Sequence, residues 1–180
     1  MYGMIHRAAR TMSIDVMGEA GFKALAADAG FDEGDFLSAH VYPDTRTLAL
    51  VAAIADRTGQ TVDGALAAFG RFWISYADKS AYGPVMRMNG DTLAEFLGNL
   101  DRMHATIQRV MPETRMPSFD VLASGPARID VLYRSERTGL EPFVGGLMEG
   151  LMQRFGHQGH VSCTPHAEGA LFTLHLAGAS

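Results

Sequence analysis

The period of the hydrophobic positions changes about two thirds of the way along this chain. Over the first part, apolar residues recur at steps of three and four, the mark of helices. Met1, Met4, Ile5, Ala8 and Met12 share one helical face. A second helix is predicted from about Gly18 to Ala29, stopped by Gly30, a residue that accepts the left-handed conformation beyond a helix end. Residues 31–47 are short and broken, with Pro43-Asp44 as a turn signal. Helices follow over Leu48–Arg57, ended by Gly59, and over Val62–Tyr76, with Leu66, Phe69, Phe72 and Trp73 on one face. A break is expected around Gly83-Pro84.

The strongest helical pattern comes next. Thr92 and Glu95 have the spacing of a capping box, in which each side chain satisfies the other residue's backbone N–H. From there Leu93, Leu97, Leu100, His104, Ile107 and Met111 form one stripe that ends before Pro112. Pro117 forces an extended stretch. Then the period becomes two: Ile129, Val131, Tyr133, Ser135 and Arg137 alternate with Asp130, Leu132, Arg134 and Glu136, predicting a strand from Ile129 to Arg137. An amphipathic helix is predicted over Leu140–Phe155, ended by Gly156. Two strands at about His160–Thr164 and Ala170–Leu176 then flank a turn at Glu168-Gly169. Short turns between strands imply an antiparallel sheet, so the fold class is α+β: a helical lobe, then helices packed on a small sheet.

Composition narrows the function. The length of 180 residues suits one domain, and no repeat, low-complexity tract or linker divides it. The formal net charge is −5, with no basic stripe, which disfavours nucleic acid as a partner. One Cys among 180 residues excludes an internal disulfide and a Cys-rich zinc site. The longest apolar run, Leu48–Ala55, is far short of the roughly 20 residues that span a bilayer, and the N-terminus lacks the apolar region of a signal peptide. A cytoplasmic protein without a membrane partner is expected. Eleven Met residues suit a deformable or cavity-containing core, although drift in composition explains them equally well.

Few residues stand out as chemistry. No phosphate-cradling Gly loop is present, Cys163 has no evident base beside it, and no carboxylate sits on a clearly apolar face, so the chain is not expected to be an enzyme. His104 occupies a place where the stripe calls for Leu or Met. A neutral imidazole in an apolar space is a ready metal or haem ligand. A lone His there is more often a satisfied core residue, and Asp101, one turn earlier, is an available partner. Tyr133, Ser135 and Arg137 would share a strand face at spacings of about 6.6–6.8 Å. Such donors suit an anion, since a guanidinium pairs with a carboxylate through two hydrogen bonds; the plainer reading has Arg137 solvated and Tyr133 in the core. Pro117 lies thirteen residues after His104 and could touch something flat bound beside it, or merely stop a helix. His157, His160, Cys163 and His166 have the composition of a metal site. Their spacing argues against one, because His160 and His166 would face away from Cys163. A metal-dependent enzyme built on His157, His160 and His166 is the weakest reading. Together, His104, Pro117 and the donor cluster suit haem, whose two propionates are costly to bury unless each is paired.

These residues resemble the haem-nitric oxide/oxygen binding (H-NOX) family, which includes bacterial stand-alone sensors and the haem domain of soluble guanylate cyclase. The resemblance covers essentially the whole chain. It runs from MYG at Met1 through FGRFW at Phe69–Trp73, FLGNLDRMH ending at His104 and PSF at Pro117–Phe119, to YRSER and TGL between Tyr133 and Leu140. The Y-x-S-x-R pattern with a His 29 residues before its Tyr is its most specific part. The resemblance implies haem b, with His104 as the proximal iron ligand and Tyr133, Ser135 and Arg137 holding the propionates. Pro117 would pack on the haem and help distort it, and Ile5 would be a distal contact. It implies a helical distal lobe (about residues 1–60) and a proximal lobe (about 61–180) of helices on a four-stranded antiparallel sheet, with haem between them. The fourth strand would lie around Phe119–Ala123. Where oxygen-binding members carry a distal Tyr, this chain has Pro142, and at another distal position it has Trp73. An apolar pocket binding nitric oxide and carbon monoxide, but not oxygen, is therefore implied. Nitric oxide is also expected to weaken the bond from iron to His104. With no cyclase, kinase or methyl-accepting segment in the chain, signalling to a separate protein is expected. In this family that partner is typically a histidine kinase or a cyclic-di-GMP enzyme. A haem-free interaction module of the same fold is the alternative.

Overall fold

The computed structural model describes residues 1–177. The chain forms two compact units, Met1–Phe69 and one that begins at Gly70. The division falls inside a helix, in keeping with the lack of a linker in the sequence.

In the first unit, α1 (Gly3–Asp28) is two helices joined at Gly18, whose φ of 74° and ψ of 166° are not helical. The sequence places a helix start at this same residue. A 3-10 turn (Glu33–Phe36) follows, and Tyr2 pairs with Val41. Helix α2 (Asp44–Thr58) begins four residues before the predicted Leu48, just after Pro43. Asp44 in its first turn complements the positive end of the helix, and polar Thr47 is buried. Gly59 ends α2 in the left-handed conformation, as expected.

Helix α3 (Val62–Lys79) runs on from the first unit into the second. At Gly83-Pro84 a short helix begins, α4 (Gly83–Met88), where only a break is legible: a proline in the first turn removes a backbone donor that would be unpaired there anyway. The stripe from Leu93 to Met111 is two helices and not one. They are α5 (Leu93–Gly98), with the Thr92–Glu95 capping box formed, and α6 (Leu100–Val110). They part at Asn99 (φ −103°, ψ 1°), whose side-chain amide donates to the Asn89 carbonyl at 2.9 Å. Asn competes well with a helical backbone for such bonds.

The four strands are β1 (Ser118–Ser124), β2 (Arg128–Arg134), β3 (Gly159–His166) and β4 (Gly169–Leu176), antiparallel in the order β1-β2-β4-β3. Helix α7 (Glu141–Arg154) packs Val144, Met148, Leu151 and Met152 into one core with Phe119, Val131, Tyr133, Phe172 and Leu174 from the sheet. This is the α+β architecture read from the change of period.

Strand β2 ends three residues before the predicted Arg137. Its last pairings are Arg134 with Ser118 on β1 and Tyr133 with Ala170 on β4, so Ser135 has no ladder to join.

Candidate functional site

Helix α6 carries His104, and its apolar face is only partly covered. Leu100 is buried, while Met103, His104 and Ile107 are half-buried. The ring of His104 is placed by the segment that returns from α6 to β1. Its Nδ1 lies 3.3 Å from the Pro117 carbonyl oxygen. A carbonyl only accepts, so Nδ1 carries the proton and Nε2 holds a lone pair. Nδ1 is the nitrogen with a hydrogen bond, and none is described at Nε2. Burial lowers the pKa of the ring, opposed by the Pro117 carbonyl and the charge of Asp101. A neutral imidazole with one nitrogen held by a carbonyl and the other open is the form that ligates a metal. Asp101 does not bond to His104 as the sequence allowed. Its Oδ1 accepts the Phe119 backbone N–H at 2.8 Å and so ties the start of β1 to α6.

From His104 a row of rings leads into the sheet core. His104 to Phe119 is 5.7 Å between centroids, Phe119 to Tyr133 5.4 Å, and Tyr133 to Phe172 6.0 Å. Tyr133 is buried, and burial pushes its pKa up, while a hydrogen bond with the Ser135 side chain and the charge of Arg137 pull it down. Ser135 Oγ accepts the Arg137 backbone N–H at 3.0 Å, and Arg137 Nη1 donates to the Arg115 carbonyl at 2.6 Å. Tyr133, Ser135 and Arg137 do come together, but not along one strand face. Tyr133 is on β2, and the other two sit in the turn beyond it. Ser135 closes that turn with its own side chain, an alternative to ladder pairing that serine takes readily.

The remaining expected site residues are placed as follows. Pro117 stands next to His104 through its carbonyl. Trp73 on α3 and Pro142 in the first turn of α7 are half-buried, with the Trp73 ring 6.0 Å from Tyr76. Their helices approach backbone to backbone: a Cβ on Gly70 would lie 2.2 Å from the Phe143 carbonyl oxygen. Arg71 with Glu149 (2.6 Å) and Arg154 with Asp78 (3.1 Å) pair across the same two helices. Ile5 lies on α1 in the first unit and is half-buried. His160 and His166 share a sheet face opposite Cys163, as alternation predicts, and His160 stacks on His175 at 4.4 Å. Among the described residues no group of three metal-ligating side chains exists.

One polar centre escapes the sequence reading. His6 is fully buried in the first unit. Its Nδ1 is 2.7 Å from the Asp35 carbonyl, its Nε2 is 2.8 Å from Thr47 Oγ1, and its ring stacks on Tyr42 at 4.7 Å. Its partners lie 29 and 41 residues away, so no local pattern announces it.

The second unit thus offers a neutral imidazole with an open nitrogen on a half-covered apolar helix face. Linked to it by packed rings are two hydroxyls and a guanidinium. That donor set fits haem: a nitrogen for iron, apolar surface for the ring, and cationic and hydroxyl donors for two carboxylates. The haem-NO-binding family is the one whose model matches, over residues 2–163. The chain belongs to this family. H-NOX domains are haem-binding gas-sensor domains. Soluble guanylate cyclase gcy-35 of Caenorhabditis elegans is 30% identical over 159 residues, which are 86% of this chain and 23% of that protein. The chain spans under a quarter of the length of such curated relatives. Among solved structures, an H-NOX protein from S. oneidensis in its Fe(II)NO state matches with a TM-score of 0.85 at 19% identity, covering 99% of this chain and 100% of that one. An oxygen-binding H-NOX domain in its oxygen complex matches with a TM-score of 0.79 at 17% identity, covering 99% and 96%. Both structures share the fold of this chain.

Proposed function

We propose that this H-NOX domain is a nitric oxide sensor that holds haem b through His104 and signals to a separate partner protein. The observation that carries the reading is the His104 ring, with Nδ1 at the Pro117 carbonyl and the lone pair of Nε2 open. Haem, when bound, supplies the ferrous iron on which a diatomic gas binds. The chain's own residues do the rest. His104 gives one neutral nitrogen, and the Pro117 carbonyl fixes its tautomer and raises its basicity. Arg137 contributes charge-assisted donors to a carboxylate, and Tyr133 and Ser135 add hydroxyls. The half-covered face of α6 at Met103 and Ile107 gives the apolar surface. No catalytic step is assigned to any of them.

Gas choice follows from Pro142 and Trp73. Bound oxygen gains partial negative charge and benefits from a hydrogen-bond donor, which nitric oxide and carbon monoxide need less. Pro142 has no donor on its side chain or its backbone nitrogen. The indole N–H of Trp73 is the donor that could oppose this selectivity. No helix of the described residues is long and apolar enough to cross a membrane, in line with a sensor working in the cytoplasm. A histidine kinase or a cyclic-di-GMP enzyme is the class of partner we assign.

Absorption spectra of the ferrous protein test this reading. Wild type should give a five-coordinate spectrum, bind nitric oxide and carbon monoxide, and form no lasting oxygen complex in air. His104→Gly should lose the five-coordinate spectrum and regain it with free imidazole. A protein that takes up no haem would instead be an interaction module, and a long-lived oxygen complex would sink the gas selectivity.

A further inference from the structure

We propose that Arg137 is a positioning residue for His104, acting through the backbone strut Arg115-Met116-Pro117, so that the charge state of a carboxylate held at Arg137 is felt at the imidazole that ligates the iron. The inference rests on the haem reading above and adds to it a coupling between two sets of residues.

The segment from Met111 to Pro117 leaves α6 and returns to it. Gln108 Nε2 donates to the Thr114 carbonyl at 3.0 Å, the Thr114 N–H donates to Met111 at 3.0 Å, and His104 Nδ1 meets the Pro117 carbonyl. These bonds tie the segment to its own helix. The Arg115 carbonyl is different: it accepts from Arg137 Nη1 at 2.6 Å, across 22 residues of sequence, from the turn that follows β2. Arg115 also faces Glu136 of that turn at 3.6 Å, but both side chains are largely exposed, and such pairs hold weakly.

The strut is stiff. Pro117 has its φ fixed by its ring, and Met116 before it is restricted to extended conformations. Few soft torsions therefore separate the Arg115 carbonyl that Arg137 grips from the Pro117 carbonyl that orients His104. At 3.3 Å the latter bond is long, so a small displacement changes it appreciably. Beyond Pro117 the strand is clamped, since Asp101 holds the Phe119 N–H at 2.8 Å. The adjustable end of the strut is the one at Arg137. A guanidinium has five N–H donors in a rigid fork and can serve a carbonyl and a carboxylate together. A lysine ammonium is a point donor on a flexible stem and does not reproduce that fork.

The test is resonance Raman measurement of the iron–histidine stretch in the ferrous, haem-loaded full chain. Hydrogen exchange at the backbone amides of Arg115, Met116 and Ser118 is recorded on the same samples. Arg137→Lys should lower the stretching frequency, because a looser Pro117 bond makes the imidazole less basic. The backbone amides of Arg115, Met116 and Ser118 should then exchange roughly two- to fivefold faster, as expected for loss of one solvent-exposed bond. Arg115→Ala keeps the carbonyl and should change neither. Wild type loaded with haem dimethyl ester needs no mutation, so its folding is not in question. Neutral esters leave the fork to the Arg115 carbonyl, so the frequency should rise, and this rise should vanish in Arg137→Lys. An iron–histidine stretch indifferent to the ester, or shifted equally in wild type and Arg137→Lys, overturns the coupling while leaving haem binding intact. A wild-type protein without a His104-dependent ferrous spectrum overturns the haem reading and this inference with it.

Discussion

Two histidines, His6 in the first unit and His104 in the second, differ in what their rings lack. His6, in the first unit, is fully buried with both nitrogens partnered: Nδ1 donates to the Asp35 carbonyl, and Nε2 accepts from Thr47. Around it Arg46 pairs with the Asp35 carboxylate at 2.6 Å and lies over the Phe31 ring at 3.7 Å, and Tyr42 donates to the Gly34 carbonyl. His104, in the second unit, is half-buried and held on one side by a 3.3 Å bond. Burial lowers the pKa of both, so both are neutral imidazoles in the Nδ1–H form. A satisfied ring is part of the fold. A ring with an open lone pair on a half-covered apolar helix is available to a ligand. Completeness of hydrogen bonding, and not burial alone, separates His6 from the histidine we propose as the haem ligand.

The sharpest break between the two should appear in stability without haem. His6→Ala removes a packed ring and leaves the part-buried Asp35 carbonyl and the buried Thr47 hydroxyl without their partner. The expected cost is about 3 kcal/mol, from the lost packing and the unpaired groups. His104→Ala removes one long hydrogen bond at a half-exposed site and should cost under about 1 kcal/mol. Urea unfolding of the haem-free proteins gives both values. Equal losses would mean that His104 is a core residue after all.

How far the sequence reveals this contrast depends on the distance to each residue's partners. The Thr92–Glu95 capping box, the Gly18 kink, the α7 stripe and the alternation in β2 are set by residues within a turn or two of each other, and all are legible. The division of α5 from α6 is not. The leucines stay in phase across it, while the bond that stabilises the break goes from Asn99 to Asn89, on another element. Helix α4 escapes because a Gly-Pro pair reads as a break although proline also starts helices. The early end of β2 depends on where β1 and β4 stop pairing, which no residue of β2 encodes. His104 stands out because a polar residue interrupts an apolar stripe. His6 interrupts nothing comparable, and its partners are supplied by two other segments. Sequence therefore shows the histidine whose surroundings are incomplete and hides the one whose surroundings are complete.

A smaller effect sharpens the comparison by making one ring resemble the other. Thr47→Ala leaves His6 with Nδ1 bonded and Nε2 bare, the hydrogen-bonding state of His104. One buried acceptor loses its partner, which should cost about 1–2 kcal/mol in urea unfolding. The variant should gain no haem ligand, since His6 stays buried beneath Tyr42 and Phe36. The ferrous spectrum of Thr47→Ala should match wild type. A six-coordinate ferrous spectrum in this variant would show that an open lone pair alone makes a ligand, and that the apolar face of α6 adds nothing.

The smallest expected effect is the pH dependence of stability, and its sign follows from both pKa directions. In the unfolded chain each imidazole takes up a proton near its ordinary pKa of about 6.5. In the folded chain burial lowers both values, so the folded state binds fewer protons as pH falls. Stability contributed by either group is therefore present above about pH 6.5 and declines as pH drops below it toward the folded value. His6→Gln keeps an amide able to donate and accept but cannot titrate, so its unfolding free energy should fall less steeply than that of wild type between about pH 7 and pH 5. Haem separates the two histidines. A metal-bound nitrogen resists protonation, so haem should steepen the part of the slope that belongs to His104 and leave the part that belongs to His6 unchanged. Wild type and His6→Gln, each with and without haem, form a closed set of four titrations by urea unfolding. The haem-dependent increment should be the same in both proteins. If it disappears in His6→Gln, the titrating group that responds to haem is His6, and the assignment of roles to the two rings is reversed.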